Sequence, residues 1–498
     1  MSRLVVSRLT LYRFRFFIGF GLLAIIFASL LFSFPLIAPS GLSEAERESA
    51  VASYNLHFSS ITSGDLVDLP YHILQKLSIL AFGFNSYAIK LPSILAGLAL
   101  GVLIVLLLNR WFKTNVTLLA SIITVLSTPF LFLSGSGTPL IMLVFWPTFL
   151  LWLGSKIQGV KRPRPLYCLI FALALLLSIY TPHLIYLVIF IIIFALVQPH
   201  LRFTIKSLPK IPLIITSLII LAGIAMWGIN LVSTPGVALS IFFAKNFSIG
   251  NFFNNIISGL APFFSWGNAL ESVFLSPMIS LATLALALTG LFSTAKGFFA
   301  SRNAIASCFI VFAVVLAGLN PDSSLLLILP LAILVAHGLR YLLEKWYGLF
   351  PENPYARIFA IFPLSVLLAL IIIPNVTFFI YGYRYVPAVA NQFSSDLNLV
   401  SETLNENMTL LAEESSLDYK FYEVYEDRTH SLMLASKLKE AKPGYKVATL
   451  GKASADYLAE AESMEKVLSL DRIITSPKSD NSDRLYIYNI VAKETVKE

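Results

Sequence analysis

Three glutamates, Glu44, Glu46 and Glu48, stand in "GLSEAERESAVAS", directly behind an apolar run long enough to cross a bilayer. A carboxylate can take the proton from a hydroxyl, so acids at a membrane surface suit general-base chemistry. Structural readings compete with that one. Ser43 followed by Glu46 is a capping box, in which each side chain satisfies the other's backbone N–H at a helix start. Glu44 and Glu48, four apart, share a different helix face, which could be merely solvated. The cap uses Ser43 and Glu46 and has no need of Glu44 at N1, where a carboxylate also complements the helix dipole. Glu44 is therefore the candidate general base, and Glu48 the candidate second acid.

Other residues could complete such a site. Lys90, Lys245 and Arg384 are cations beside apolar runs, able to hold a phosphate or to anchor the chain at the interface. His57 and His72 could bind a metal or phosphate, although a single histidine is more often packed. Tyr180 and His183, in "YTPH" between two short apolar runs, would line a polar cavity, or else form an external turn. Asp322 in "NPDSS" is a further cavity candidate, and His337 is either functional or a satisfied core residue. Asp65 and Asp68 are expected to end a loop and cap the next helix. No cofactor follows from the residues, and a divalent metal ion is the one left open.

These side chains must be positioned by membrane-spanning helices. Of 498 residues, 57% are hydrophobic and only 13% charged, with mean hydropathy +0.78. Soluble chains carry about 25% charged residues, so this is a multi-pass membrane protein. The net charge of +8 does not mark a nucleic-acid binder, because the cations fall in short links between apolar runs. Cys168 and Cys308 lie inside such runs, so no disulfide framework is expected. A span needs about 17–25 apolar residues. Eleven are read, near 15–37, 87–108, 115–134, 138–155, 166–181, 183–198, 211–232, 274–293, 303–319, 322–340 and 358–381. Lys and Arg crowd one set of links, which places the N-terminus in the cytoplasm and the C-terminal part outside.

Two long links, 38–86 and 233–273, then fall on the outer side. In the first, Leu42, Ala45, Ser49, Ala52 and Leu56 recur at helical steps. A second helix is expected from "DLPYHILQKLSILAFG", lying in the interface. The second link is aromatic-rich. After 384 the chain becomes ordinarily polar, and 385–498 reads as a small extracytoplasmic α/β domain. Helices are expected at 391–407, 430–441 and 453–467, strands at "KVATL", "RIITS" and "RLYIYNIV", the last two as a hairpin around "PKSDNSD".

The run from "GLSEAERESA" through "DLPYHILQKL" to "KLPSILAGL" resembles the GT-C superfamily of membrane glycosyltransferases. The branch with protein O-mannosyltransferases and lipid A aminoarabinose transferases is the most similar. The resemblance covers 1–384 in architecture and is specific over about 35–115. It implies a polytopic helix bundle at the cell membrane. It also implies transfer of a sugar from a polyprenyl-phosphate carrier to an extracytoplasmic lipid, glycan or protein. The transfer would be inverting, with a first-loop carboxylate as base. The family motif departs in three places. Ser43-Glu44 stands where the family has Asp-Glu. "SGSGTPLIML" offers Ser134, Ser136 and Thr138 where an acid often follows the third span. Asp322 stands where relatives often carry a base. Those departures motivate the alternative of a catalytically inactive scaffold for envelope assembly. A flippase ranks behind both, because the spans hold almost no ionisable residues.

Overall fold

The computed structural model of the chain describes residues 10–37, 41–56, 67–158, 165–207, 210–233, 241–242, 249–264, 279–298 and 300–349. Beyond these it describes 355, 359, 361–386, 389, 392–394, 396–403, 408–412, 417–426, 432–434, 446–450, 466–475 and 484–492. In hydrocarbon every backbone N–H and C=O must be paired within its own segment, so the apolar runs become helices.

The helices follow one another as α1 (Thr10–Ile37), α2 (Glu44–Tyr54), α3 (Leu69–Phe82), α4 (Ser86–Trp111), α5 (Thr114–Val125), α6 (Thr128–Gly135) and α7 (Ile141–Gln158). Next come α8 (Pro165–Ser178), α9 (Ile185–Val197), α10 (Pro199–Ser207), α11 (Lys210–Ser233) and α12 (Phe252–Phe264). The bundle ends with α13 (Leu281–Lys296), α14 (Ser301–Leu319), α15 (Ile328–Leu349) and α16 (Ile361–Thr377). Among the described residues, each of the eleven expected runs contains helix. Six helices among the described residues are long and apolar enough to cross a membrane alone. α5 and α6 are apolar enough only when taken together, and they are bent by 65° at the break between them. Ser127 at the break is extended, with ψ 141, and Pro129 sits in the first turn of α6, where its missing N–H costs no helical bond. The runs in α8, α9, α11 and α13 are apolar but shorter.

Close packing fixes the bundle. A Cβ on Gly290 of α13 would lie 1.9 Å from the Leu334 carbonyl oxygen of α15, and one on Gly338 would lie 2.1 Å from that of Leu286. The two backbones therefore touch, as small residues permit in membranes. Thr128 at the start of α6 holds the side chain and carbonyl of Asn375 in α16 through bonds of 2.9 Å. Past α16 a π-helical turn (Phe378–Gly382) turns Phe379 and Tyr383 inward. There Phe379 stacks on Phe34, and Tyr383 on Phe132, each at 5.1 Å between ring centroids.

The polar C-terminal part forms α17 (Asp396–Thr403), α18 (Leu417–Glu426) and a five-stranded sheet. Its strands are β3 (Met408–Ala412), β4 (Leu432–Leu434), β5 (Lys446–Leu450), β6 (Lys466–Thr475) and β7 (Arg484–Ala492), in the order β4-β3-β5-β7-β6. The expected hairpin is β6–β7. One expectation is corrected. Residues 432–434 of the expected helix at 430–441 are a strand, because pairing in parallel with β3 outweighs a local helical pattern. The expected helix at 453–467 lies, up to 465, outside the described residues, and Lys466 opens β6. Short strands β1 (Leu42–Ser43) and β2 (Phe393–Ser394) pair antiparallel across the base of this part. One core joins Leu42, Ala50, Ile79 and Ile89 to Phe421, Ala448 and Ile487, so the sheet domain sits on the first long link.

Candidate functional site

Ser43 caps α2 and Glu46 completes the capping box, the Ser43 N–H donating to Glu46 Oε2 at 2.9 Å. Glu46 does more than cap. It is wholly buried, and its Oε1 accepts the Gly137 N–H at 2.7 Å. Lys90 of α4, also wholly buried, brings its ammonium to 3.5 Å from Oε2. That ammonium donates to the Gly41 carbonyl at 2.9 Å and lies over the rings of Phe34 and Phe393 at 5.1 and 5.4 Å. A buried charge survives only when paired and hydrogen-bonded, and both are. Lys90 is thus neutralised inside the protein. The link after α6 thus receives Glu46 through the Gly137 N–H.

Glu44 and Glu48 occupy the exposed side of α2. The buried side carries Ser49 and Ser53, which both donate to Gln75 Oε1 of α3, at 2.8 and 2.6 Å. Gln75 Nε2 donates to the carbonyls of Ile89 and Gly137 at 2.9 and 3.1 Å, which fixes the amide orientation. Ser53 Oγ also lies 2.7 Å from His72 Nδ1. Its single proton already goes to Gln75, so Nδ1–H of His72 must be the donor and Nε2 keeps the lone pair. Burial lowers the His72 pKa to about 4, so the ring is neutral at pH 7.

Asp68 begins α3 in the left-handed region, φ 52, yet its carboxylate makes no cap bond. Oδ1 is buried without a hydrogen-bond partner, and burial raises the pKa to about 7. The expected capping role is corrected: Pro70, with no N–H, fills the first turn, and the Asp68 carboxylate turns inward. Its backbone N–H donates to the Tyr180 carbonyl at 2.8 Å. His183, three residues on, is also left-handed at φ 65, and its N–H donates to the Ile241 carbonyl at 2.9 Å. The "YTPH" break between α8 and α9 therefore ties the first long link to the second. A non-glycine residue held at positive φ is a common mark of functional sites. His183 Nε2 is likewise buried without a hydrogen-bond partner.

Arg384 is exposed at the end of the α16 segment, its guanidinium 5.5 Å from the Tyr385 ring, and Asp322 is exposed before α15. His57, Asp65 and Lys245 lie outside the described residues. Among the described residues no three His, Cys, Asp or Glu side chains group as metal ligands, so they do not offer a metal centre. Sequence reasoning missed the buried roles of Gln75, Ser49 and Ser53. Their helical spacing on facing helices was the one available sign.

Residues 70–227 match the family model of dolichyl-phosphate-mannose-protein mannosyltransferases. The fold superposes on the crystal structure of ArnT from Cupriavidus metallidurans bound to undecaprenyl phosphate, with TM-score 0.56 and 14% identity. That match covers 95% of this chain and 98% of ArnT. The apo state of ArnT gives TM-score 0.53 at 14% identity, over 96% and 99% of the two chains. The Archaeoglobus fulgidus oligosaccharyltransferase tethered with an acceptor peptide gives 0.50 at 11% identity, over 92% of this chain and 69% of that one. No curated protein sequence matches the chain. The chain has the fold of the GT-C membrane glycosyltransferases.

Proposed function

We propose that the protein transfers a sugar from a polyprenyl-phosphate carrier to a hydroxyl of an extracytoplasmic lipid, glycan or protein. The observation that carries this reading is the end-to-end fold match to ArnT holding undecaprenyl phosphate. In the reaction a carboxylate takes the acceptor O–H proton, and the oxygen attacks the anomeric carbon. The bond to phosphate oxygen breaks on the opposite face, so the configuration inverts and polyprenyl phosphate leaves.

Glu44 is the proposed base, with Glu48 one turn on as second acid. Both stand on the first-link helix and face solvent, where an acceptor can reach them. Asp68 is the rival base on a specific observation: a buried carboxylate whose Oδ1 has no hydrogen-bond partner, with a pKa of about 7, is poised for proton transfer. Arg384 is the exposed cation proposed for the leaving phosphate, with Lys245 beside it in sequence role.

The test is sugar transfer by purified protein from polyprenyl-phosphate sugars, comparing Glu44→Gln with Asp68→Asn. The base is the residue whose amide variant loses about 100-fold or more in rate while remaining folded. Full activity in both variants would exclude both. A second reading, an inactive scaffold, draws on Ser43, Ser134, Ser136 and Thr138 replacing motif acids and on Lys90 being consumed by Glu46. Failure of the wild type to bind or turn over any such lipid favours it.

A further inference from the structure

A cavity of about 340 Å³ opens among α7, α8, α9, α10, α11 and α14, far from Glu46. Lys90 and Glu46 meet near the start of α4, whereas Trp111 at its far end lines the cavity. The two sites are therefore separated by about 30 Å of helix. The walls are apolar, built from residues such as Pro147, Phe171, Phe190 and Ile220. On α7 the lining runs from Pro147 to Gln158, about 16 Å at 1.5 Å per residue. That depth is close to half of the ~30 Å hydrocarbon core, one leaflet.

Cations neighbour one part of the lining in sequence. Leu201 and Ile205 of α10 line the cavity, one helical turn apart, and each is followed by an exposed cation, Arg202 and Lys206. Arg202 also donates to the Leu196 carbonyl, which anchors it at the α9–α10 corner. Arg110 donates to the carbonyl of Ser155, another lining residue, at 2.9 Å. An apolar slot one leaflet deep, with cations beside its polar end, matches an acyl chain below an anionic headgroup.

We propose that this cavity binds one acyl chain of an anionic glycerophospholipid from the basic leaflet, its phosphate held by Arg202 and Lys206. The site is separate from the proposed sugar-transfer site and does not depend on that reaction. A lipid here would wedge α10 against the ends of α4 and α7, coupling leaflet charge to bundle packing.

Native mass spectrometry of the full chain, with phosphatidylglycerol, phosphatidylcholine or undecaprenyl phosphate added, tests this. Phosphatidylglycerol should bind in preference to phosphatidylcholine. The double variant Arg202→Gln/Lys206→Gln should bind it about 30-fold more weakly. Ala195→Trp, which fills the slot from α9, should abolish retention, whereas Leu173→Trp on the exposed face of α8 should not. Equal retention of phosphatidylcholine overturns the proposal. So does displacement of bound phosphatidylglycerol by undecaprenyl phosphate, which would make the cavity the carrier's. So does unchanged binding in Ala195→Trp. A thermal melt of each variant without added lipid separates loss of binding from loss of fold.

Discussion

At the residue scale, the three glutamates of one short helix have three fates because helical geometry points them to different media. Glu46 faces inward, wholly buried, and finds Lys90 and two backbone N–H groups. Removing one partner strands the other, so Lys90→Met should cost about 3–5 kcal/mol, read as a fall in melting temperature in detergent. The combined variant Glu46→Gln/Lys90→Met should recover part of that loss. Glu44→Gln, by contrast, should leave the melt unchanged and abolish transfer if Glu44 is the base.

Asp68 predicts a pH dependence. Its folded pKa of about 7 lies above the value of 3.8 for an unperturbed aspartate. Between those values the folded chain holds a proton that the unfolded chain has lost. Stability conferred by the protonated form is therefore present below pH 4 and declines as pH rises toward 7. Asp68→Asn should melt higher than wild type at pH 8 and alike at pH 4. Equal melts at both would mean that the carboxylate is solvated.

At the element scale, two devices decide how helices meet. Gly290 and Gly338 let α13 and α15 touch backbone to backbone. Gly338→Leu must push the pair apart, costing at least about 1–3 kcal/mol, which detergent thermal inactivation would reveal. The "YTPH" break is the other device: it ends α8 and begins α9, while its Tyr180 carbonyl accepts from, and its His183 N–H donates to, backbone outside both helices. Those groups hold Asp68 and Ile241, so an irregular turn becomes the junction of two long links.

At the scale of the whole molecule, the sheet domain is seated on α2 and α3 rather than hung from the bundle. Phe84 lies 5.1 Å from Phe421, and Tyr54 lies 6.4 Å from Phe84, a chain of rings from the first link to α18. The acids of α2 therefore lie beside the sheet domain, which an acceptor of the proposed reaction would have to pass. Phe421→Ala removes a wholly buried ring and should cost about 3–5 kcal/mol. Faster limited proteolysis of the segment after 386, with the bundle intact, is the expected result.

Much of this protein was legible before any coordinates. Apolar runs in hydrocarbon have only the helix to adopt, so the bundle follows from composition, and Ser43 with Glu46 announced their cap three residues apart. The hairpin β6–β7 was legible too, because its turn formers and alternation are local. What the tertiary structure alone decided is where burial falls. Nothing local says that Lys90 will meet Glu46, 44 positions earlier, or that Asp68 will forgo its cap. Nor does anything local turn residues 432–434 into a strand. Each depends on which distant backbone arrives beside it, and the energy of a charge or an edge strand is set by that neighbour.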